Sequence, residues 1–199
     1  RDPMSLKRPK MLSPRQRAAA YTFRWPDRPP LQAVDARIYG VWLIGPLYKG
    51  ATRLYGSYPV GFVERLTTVF PETPRLHLFA GGVCDPEGVT FDIRPESKPN
   101  VIGDVMHIAD HFPAGHFAVV LADPPYNAKA RDVYGTAAFC KRRALREVHK
   151  VIRRGGVLAW LDTSTPIWSH EHWEWGGLIG VQVGSCRVFR ALSILIKRK

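Results

Sequence analysis

From residue 60 onward the chain alternates between short apolar runs and segments whose apolar residues recur at helical spacing. "VGFVERLTTVF" sets Val60, Val63, Leu66 and Phe70 on one helix face and stops at Pro71. "RLHLFAG" reads as a first strand running into glycines. "GVTFDI" reads as a second strand ending on Asp92, and "NVIGDV" as a short third ending on Asp104. "FAVVLA", 117–122, is apolar throughout, as a strand buried on both faces is. "GTAAFCKRRALREVHKVIRRGG" places Ala138, Leu145, Val148 and Ile152 on one face and predicts a helix closed by Gly155 and Gly156. "VLAWLD" is a fifth strand, and "GLIGVQVG" with "RVFRALSILIK" forms a closing antiparallel pair. Strand, helix and strand in repetition predict an α/β fold with a mostly parallel sheet and right-handed crossovers.

The N-terminal part lacks this order. Residues 1–37 are rich in Pro and Arg without sustained periodicity and read as a basic arm, extended or partly disordered. Arg1-Asp2-Pro3 ahead of Met4 reads as a remnant of expression. Residues 38–59 are apolar and aromatic but broken by Gly and Pro, which predicts an ordered cap on a single domain spanning 38–199. Its Tyr39, Trp42, Tyr48, Tyr55 and Tyr58 suit base stacking and core packing equally.

Charge changes the picture more than composition does. The formal net charge is +12, and residues 1–57 hold eleven of the 29 bases but only three of the 17 acids. Such a bias points to a polyanion, most simply nucleic acid, with Lys7, Arg8, Lys10, Arg15, Arg17, Arg24 and Arg28 as the arm's phosphate contacts. No apolar run approaches the ~18 residues that span a bilayer, and no stretch reads as a secretory signal. Three cysteines without metal-like spacing suit a reducing cytoplasm. His170, Glu171 and His172 lack a third well-spaced ligand, so no metal site is expected.

The candidate chemistry lies at "LADPPYN", 121–127. A strand cannot continue through Pro124 and Pro125, so Asp123 and Tyr126 are presented at a strand's C-terminal end, where open α/β sheets hold ligands. An aromatic exocyclic amine is a poor nucleophile because its lone pair is delocalised into the ring. The Asp123 carboxylate and the Pro124 carbonyl can each accept one N–H and favour a more tetrahedral nitrogen, with Pro125 stiffening the turn. Tyr126 offers a flat face to an unstacked base.

"DPPY" after an apolar strand resembles the catalytic signature of class I S-adenosylmethionine-dependent amino-methyltransferases, chiefly N6-adenine DNA methyltransferases of small orphan or phage type. The resemblance implies a Rossmann-like class I methyltransferase sheet, S-adenosyl-L-methionine as cofactor and DNA as partner, with RNA and a homodimer left open. Phe79, Ala80, Gly81 and Gly82 resemble that family's cofactor loop, although Val83 stands at its last glycine position and His77 replaces the usual acid. Asp92, with Ile93 beside it, resembles the acid that binds ribose hydroxyls. Asp104, followed by Val105 and Met106, resembles the residue set at the cofactor adenine. Only ten residues separate Gly81 from Asp92, too few for a crossover helix. The core also lacks an insertion large enough for a separate target-recognition domain. Two rival readings remain: an RNA amino-methyltransferase acting on guanine N2 or adenine N6, and a non-catalytic nucleic-acid-binding subunit.

Overall fold

The computed structural model describes residues 10–44, 58, 61–83, 85–125, 139–184 and 189–198. Among the described residues nine strands make one sheet in the order β1-β2-β8-β9-β7-β6-β3-β4-β5. They are β1 (Gln32–Val34), β2 (Arg37–Ile44), β3 (Arg75–Leu78), β4 (Gly88–Asp92), β5 (Val101–Ile102), β6 (Phe117–Ala122), β7 (Ile152–Asp162), β8 (Trp173–Val183) and β9 (Phe189–Lys197). Strands β5, β4, β3, β6 and β7 are parallel neighbours. Strand β9 enters antiparallel between β7 and β8. The expected Rossmann-like α/β sheet, mostly parallel with a closing antiparallel pair, is the fold observed.

Alternation along the strands splits the core in two. Val157, Ala159 and Leu161 of β7 join the cluster on one face with Tyr21, Trp42, Phe62 and Leu66. Leu158 and Trp160 join the other, beneath Leu145 and Val148. The first face is covered by α1 (Pro14–Arg24) and α2 (Phe62–Val69), and the second by α3 (Lys141–Val151) and a 3-10 segment, Val105–Asp110.

Three expectations need correction. Residues 14–24 of the supposed extended arm are helix α1: Ser13 and Gln16 form a reciprocal capping box, with Pro14 in the first turn. The cap expected over 38–59 is instead, through Ile44, strand β2, paired parallel to β8 with Ile38 opposite Gly177. The helix ahead of β7 ends at Val151, and the strand starts at once at Ile152. Gly155 and Gly156 therefore serve β7 rather than a helix cap. Gly155 has φ +71, and a Cβ on Gly156 would sit 2.9 Å from the Ala118 carbonyl oxygen, where the β6–β7 register shifts. Ala138, expected on that helix, lies outside the described residues.

The short link between the first two expected strands is observed. Strands β3 and β4 are adjacent and parallel, and no helix stands between them among the described residues.

Candidate active site

Chain order reverses across the β3–β6 boundary: β4 and β5 continue to one side of β3, β6 and β7 to the other. At such a switch point the loops diverge and open a crevice outside the strands' carboxyl ends. Leu78 pairs with both Phe91 and Ala122, so the next residues along the edge, Phe79, Asp92 and Asp123, fall in one row.

On β3 the chain turns sharply. Phe79 has φ +55 and Gly81 φ +52, and the Val83 N–H closes a turn on the Ala80 carbonyl at 3.0 Å. A left-handed Phe is uncommon and costs backbone energy; edge contact with Phe139, at 5.4 Å between ring centres, holds it. Asp92 fastens this loop to β4. Its carboxylate accepts the Gly81 N–H at 3.1 Å and the Arg94 N–H at 2.9 Å, and the residue is 5% exposed. Ile93 beside it is exposed at the edge. Asp104 caps the 3-10 segment by accepting the Met106 N–H at 2.9 Å and is itself exposed. Val105 and Met106 turn their side chains into the core.

At the end of β6, Pro124 and Pro125 are buried, and the Asp123 side chain is nearly so. Strand β9 brings Arg190 to within 3.8 Å of the Asp123 carboxylate, an ion pair between residues far apart in sequence. Tyr58 approaches from the α2 side, its ring stacked on Phe62 at 5.0 Å. Its hydroxyl is buried without a hydrogen-bond partner among the described residues. Burial and, secondarily, the Asp123 charge push its pKa well above the usual phenol value. The arrangement is thus a carboxylate paired with a guanidinium, within the electrostatic reach of a buried phenol. Tyr126 lies outside the described residues, as do Tyr48, Tyr55, Lys7 and Arg8.

Asp162, which ends β7, is committed elsewhere. It faces α3, is fully buried, pairs with Lys141 Nζ at 2.5 Å and accepts the Thr163 N–H at 2.7 Å. The arm residues divide. Lys10, Arg15, Arg24 and Arg28 are exposed. Arg17 is not: it is 4% exposed, bonds Glu72 through both terminal nitrogens at 3.0 and 2.6 Å, and donates to the Val69 carbonyl. It pins α1 to the end of α2 and cannot meet a phosphate. Trp42 of the aromatic series is likewise core, not a stacking platform.

Sequence reading missed Arg190 and the Arg75–Asp85–His77 cluster beneath the loop. Arg75 bonds Asp85 twice, at 2.9 Å each, and His77 Nε2 lies 2.8 Å from the same carboxylate. The signal available was a charged residue and a histidine alternating with leucines in β3.

No family model matches the sequence, and no curated protein matches it. Among solved structures, TrmN from Thermus thermophilus matches at 16% identity over 62% of this chain and 43% of its own, with TM-score 0.45. The N-methyltransferase NodS from Bradyrhizobium japonicum WM9, in complex with S-adenosyl-l-homocysteine, matches at 10% identity over 94% of this chain and 86% of its own, with TM-score 0.41. The chain spans 43% of TrmN and 53% of the CurJ carbon methyltransferase, less than two thirds of either. With every one of these TM-scores below 0.5, the chemistry of the site is read from its own residues.

Proposed function

We propose that the protein transfers the methyl group of S-adenosyl-L-methionine to an exocyclic amine, adenine N6 in DNA. The observation that carries this reading is Asp123-Pro124-Pro125 at the end of β6, in one row with the Phe79–Gly82 loop and Asp92 at a topological switch point.

The donor set fits the cofactor. An ionised carboxylate offers about four lone-pair sites, and the two amides that Asp92 accepts leave about two for ribose hydroxyls. Asp104 presents an exposed carboxylate for an amino group, and Ile93 an apolar surface for a ring. The positive φ at Gly81 lets backbone rather than side chain face the ligand. When bound, the sulfonium supplies an electrophilic methyl.

The protein's own part is to hold the amine. Asp123 accepts one N–H and the Pro124 carbonyl the other, so the nitrogen lone pair is turned out of conjugation. Arg190, 3.8 Å from the Asp123 carboxylate, offers it an opposite charge and holds this nearly buried acceptor in place. As the nitrogen gains its methyl and the sulfur leaves as a neutral thioether, both of its N–H groups become acidic, and Asp123 is the base already in contact with one of them.

Product analysis tests the reading. Duplex DNA and RNA are incubated separately with protein and labelled S-adenosyl-L-methionine, then digested to nucleosides. Label in N6-methyladenine from DNA is expected. Label confined to RNA or to another nucleoside overturns the substrate, and no label despite cofactor binding overturns the activity.

A further inference from the structure

Helix α3 carries an uncommon charge arrangement. Its buried positions, Ala144, Leu145, Val148 and Val151, lie on one side, and every exposed position is a base: Arg142, Arg143, Arg146 and Lys150. Arg142, Arg146 and Lys150 follow at four-residue steps, so they run along the helix as one line with about 6 Å between successive residues. Arg154 continues beyond the helix end and is also exposed.

By itself this pattern is unfavourable. Like charges four residues apart repel, and the first turn holds Lys141, Arg142 and Arg143 with no acid, against the helix's own positive end. Within the protein the repulsion is only partly answered. Lys141 is paired with Asp162 and Lys150 with Glu147. Arg143 reaches the Met106 carbonyl at 3.4 Å. Arg142, Arg146 and Arg154 have no hydrogen bond or ion pair among the described residues. At the far end Lys197 donates to the His149 and Ile152 carbonyls, and the adjacent His149 is pushed down to about 4 by burial and by the Lys197 and His172 charges.

The stripe begins at the candidate site. Lys141 meets Asp162 at the carboxyl end of β7, and Arg143 meets the segment that Asp104 caps. It lies on the sheet face opposite α1, whose Arg17 is buried on Glu72. We infer that the outer face of α3, through Arg142, Arg146 and Lys150, is a docking surface for the sugar-phosphate backbone of the DNA whose base enters the site. The inference rests on the nucleic-acid reading above and assigns the contact to a helix, not to the N-terminal arm. An eleven-residue helix is about 16 Å long. One strand of B-DNA presents a phosphate about every 3.4 Å of axis, so the stripe spans roughly four or five phosphates.

The test uses the full chain and the triple variant Arg142→Gln, Arg146→Gln, Lys150→Gln. Affinity is measured against salt for one duplex DNA and for RNA of the same sequence. Each lost contact lowers the slope of log affinity on log salt by about 0.9 on duplex DNA, so the triple variant should lose about 2 to 3. Cofactor affinity should stay unchanged and the thermal midpoint should not fall, and the double variant Arg142→Lys, Arg146→Lys should keep the parent slope. An unchanged slope in the glutamine variant, with the parent binding DNA, overturns the docking surface alone. A slope lost only on RNA overturns the assignment to DNA. A parent that binds neither polymer overturns the nucleic-acid reading together with the surface.

Discussion

On the sheet face that carries α1 and α2, β6 presents Val119 and Leu121 to an apolar cluster, whereas its hydrogen-bonded neighbour β3 presents Arg75 and His77 opposite those same residues. The other sides of both strands match, with Leu76, Leu78, Val120 and Ala122 in one cluster. The difference follows from the connections. A nine-residue link from β3 to β4 has no room for a crossover helix, so among the described residues no amphipathic helix from that link covers that side. The link's own Asp85 and Glu87 turn back onto Arg75, and Asp85 also takes His77. A polar network closes one half of the face and helices close the other. The polar half also bears the Phe79–Gly82 loop and Asp92, while the apolar half bears Asp123. In the proposed function, cofactor positioning and chemistry are therefore supported by different physics, and substitutions should separate them.

The largest expected effect is on stability. Asp85→Ala leaves Arg75, with 3% side-chain exposure, only the exposed Glu87 as a charged partner among the described residues and should cost up to about 3–5 kcal/mol in urea unfolding. A cost under about 1 kcal/mol would mean that the cluster does not hold this half together.

Asp92→Ala should weaken S-adenosyl-L-methionine binding by about 1.5–3 kcal/mol by calorimetry, the loss of a hydrogen bond to a charged group. It should leave DNA affinity near the parent value. Unchanged cofactor affinity would move the ribose site away from β4.

Acid should loosen the polar half, as it should the far end of α3, where His149 is also held below its usual range. Burial lowers the His77 pKa, so its neutral imidazole donates Nε2–H to Asp85; that bond opposes the shift without cancelling it. The unfolded chain takes up this proton below about pH 6.5 while the folded chain does not, so stability falls as pH drops from there. Burial would raise Asp85, yet hydrogen bonds from Arg75 and His77 hold it well below the usual carboxylate range. Its contribution is present above about pH 4 and is lost only in stronger acid. Urea midpoints between pH 7 and 5 should therefore decline, and less steeply in His77→Gln. Equal slopes would remove His77 from the acid response.

The smallest effect should come from the exposed pair Arg24–Glu64, whose side chains are 59% and 51% exposed. Arg24→Ala should cost less than about 1 kcal/mol. Arg17→Ala, which strands buried Glu72 at the other attachment of α1, should cost several times more.

Strands β3, β4 and β6 were legible because apolar runs ended at Gly, Asp and Pro, and the positions of Asp92 and Asp123 at the carboxyl ends of β4 and β6 were legible with them. Helix α1 was hidden because one of its two buried positions is Arg17, which an apolar periodicity cannot register. Its start signal, Ser13-Pro14-Arg15-Gln16, was nonetheless present as a capping box. Strand β2 was hidden because its longer pairing is with β8, a parallel match between distant segments that no local pattern encodes, and its local partner β1 has only three residues, joined through Asp35 and Ala36 without a turn glycine. Arg190 reaches Asp123 for the same kind of reason: β9 inserts between β7 and β8 and returns its first residues to the edge where β6 ends. Among the described residues no helix is long and apolar enough to cross a membrane.

The central claim is that Asp123 acts on the amine and not on the cofactor. It is tested most directly by measuring cofactor affinity and single-turnover methyl transfer to duplex DNA for the parent and Asp123→Ala. The account predicts unchanged affinity with transfer lowered at least ~100-fold, about 2.7 kcal/mol at about 1.36 kcal/mol per tenfold. Near-normal transfer by Asp123→Ala would contradict it.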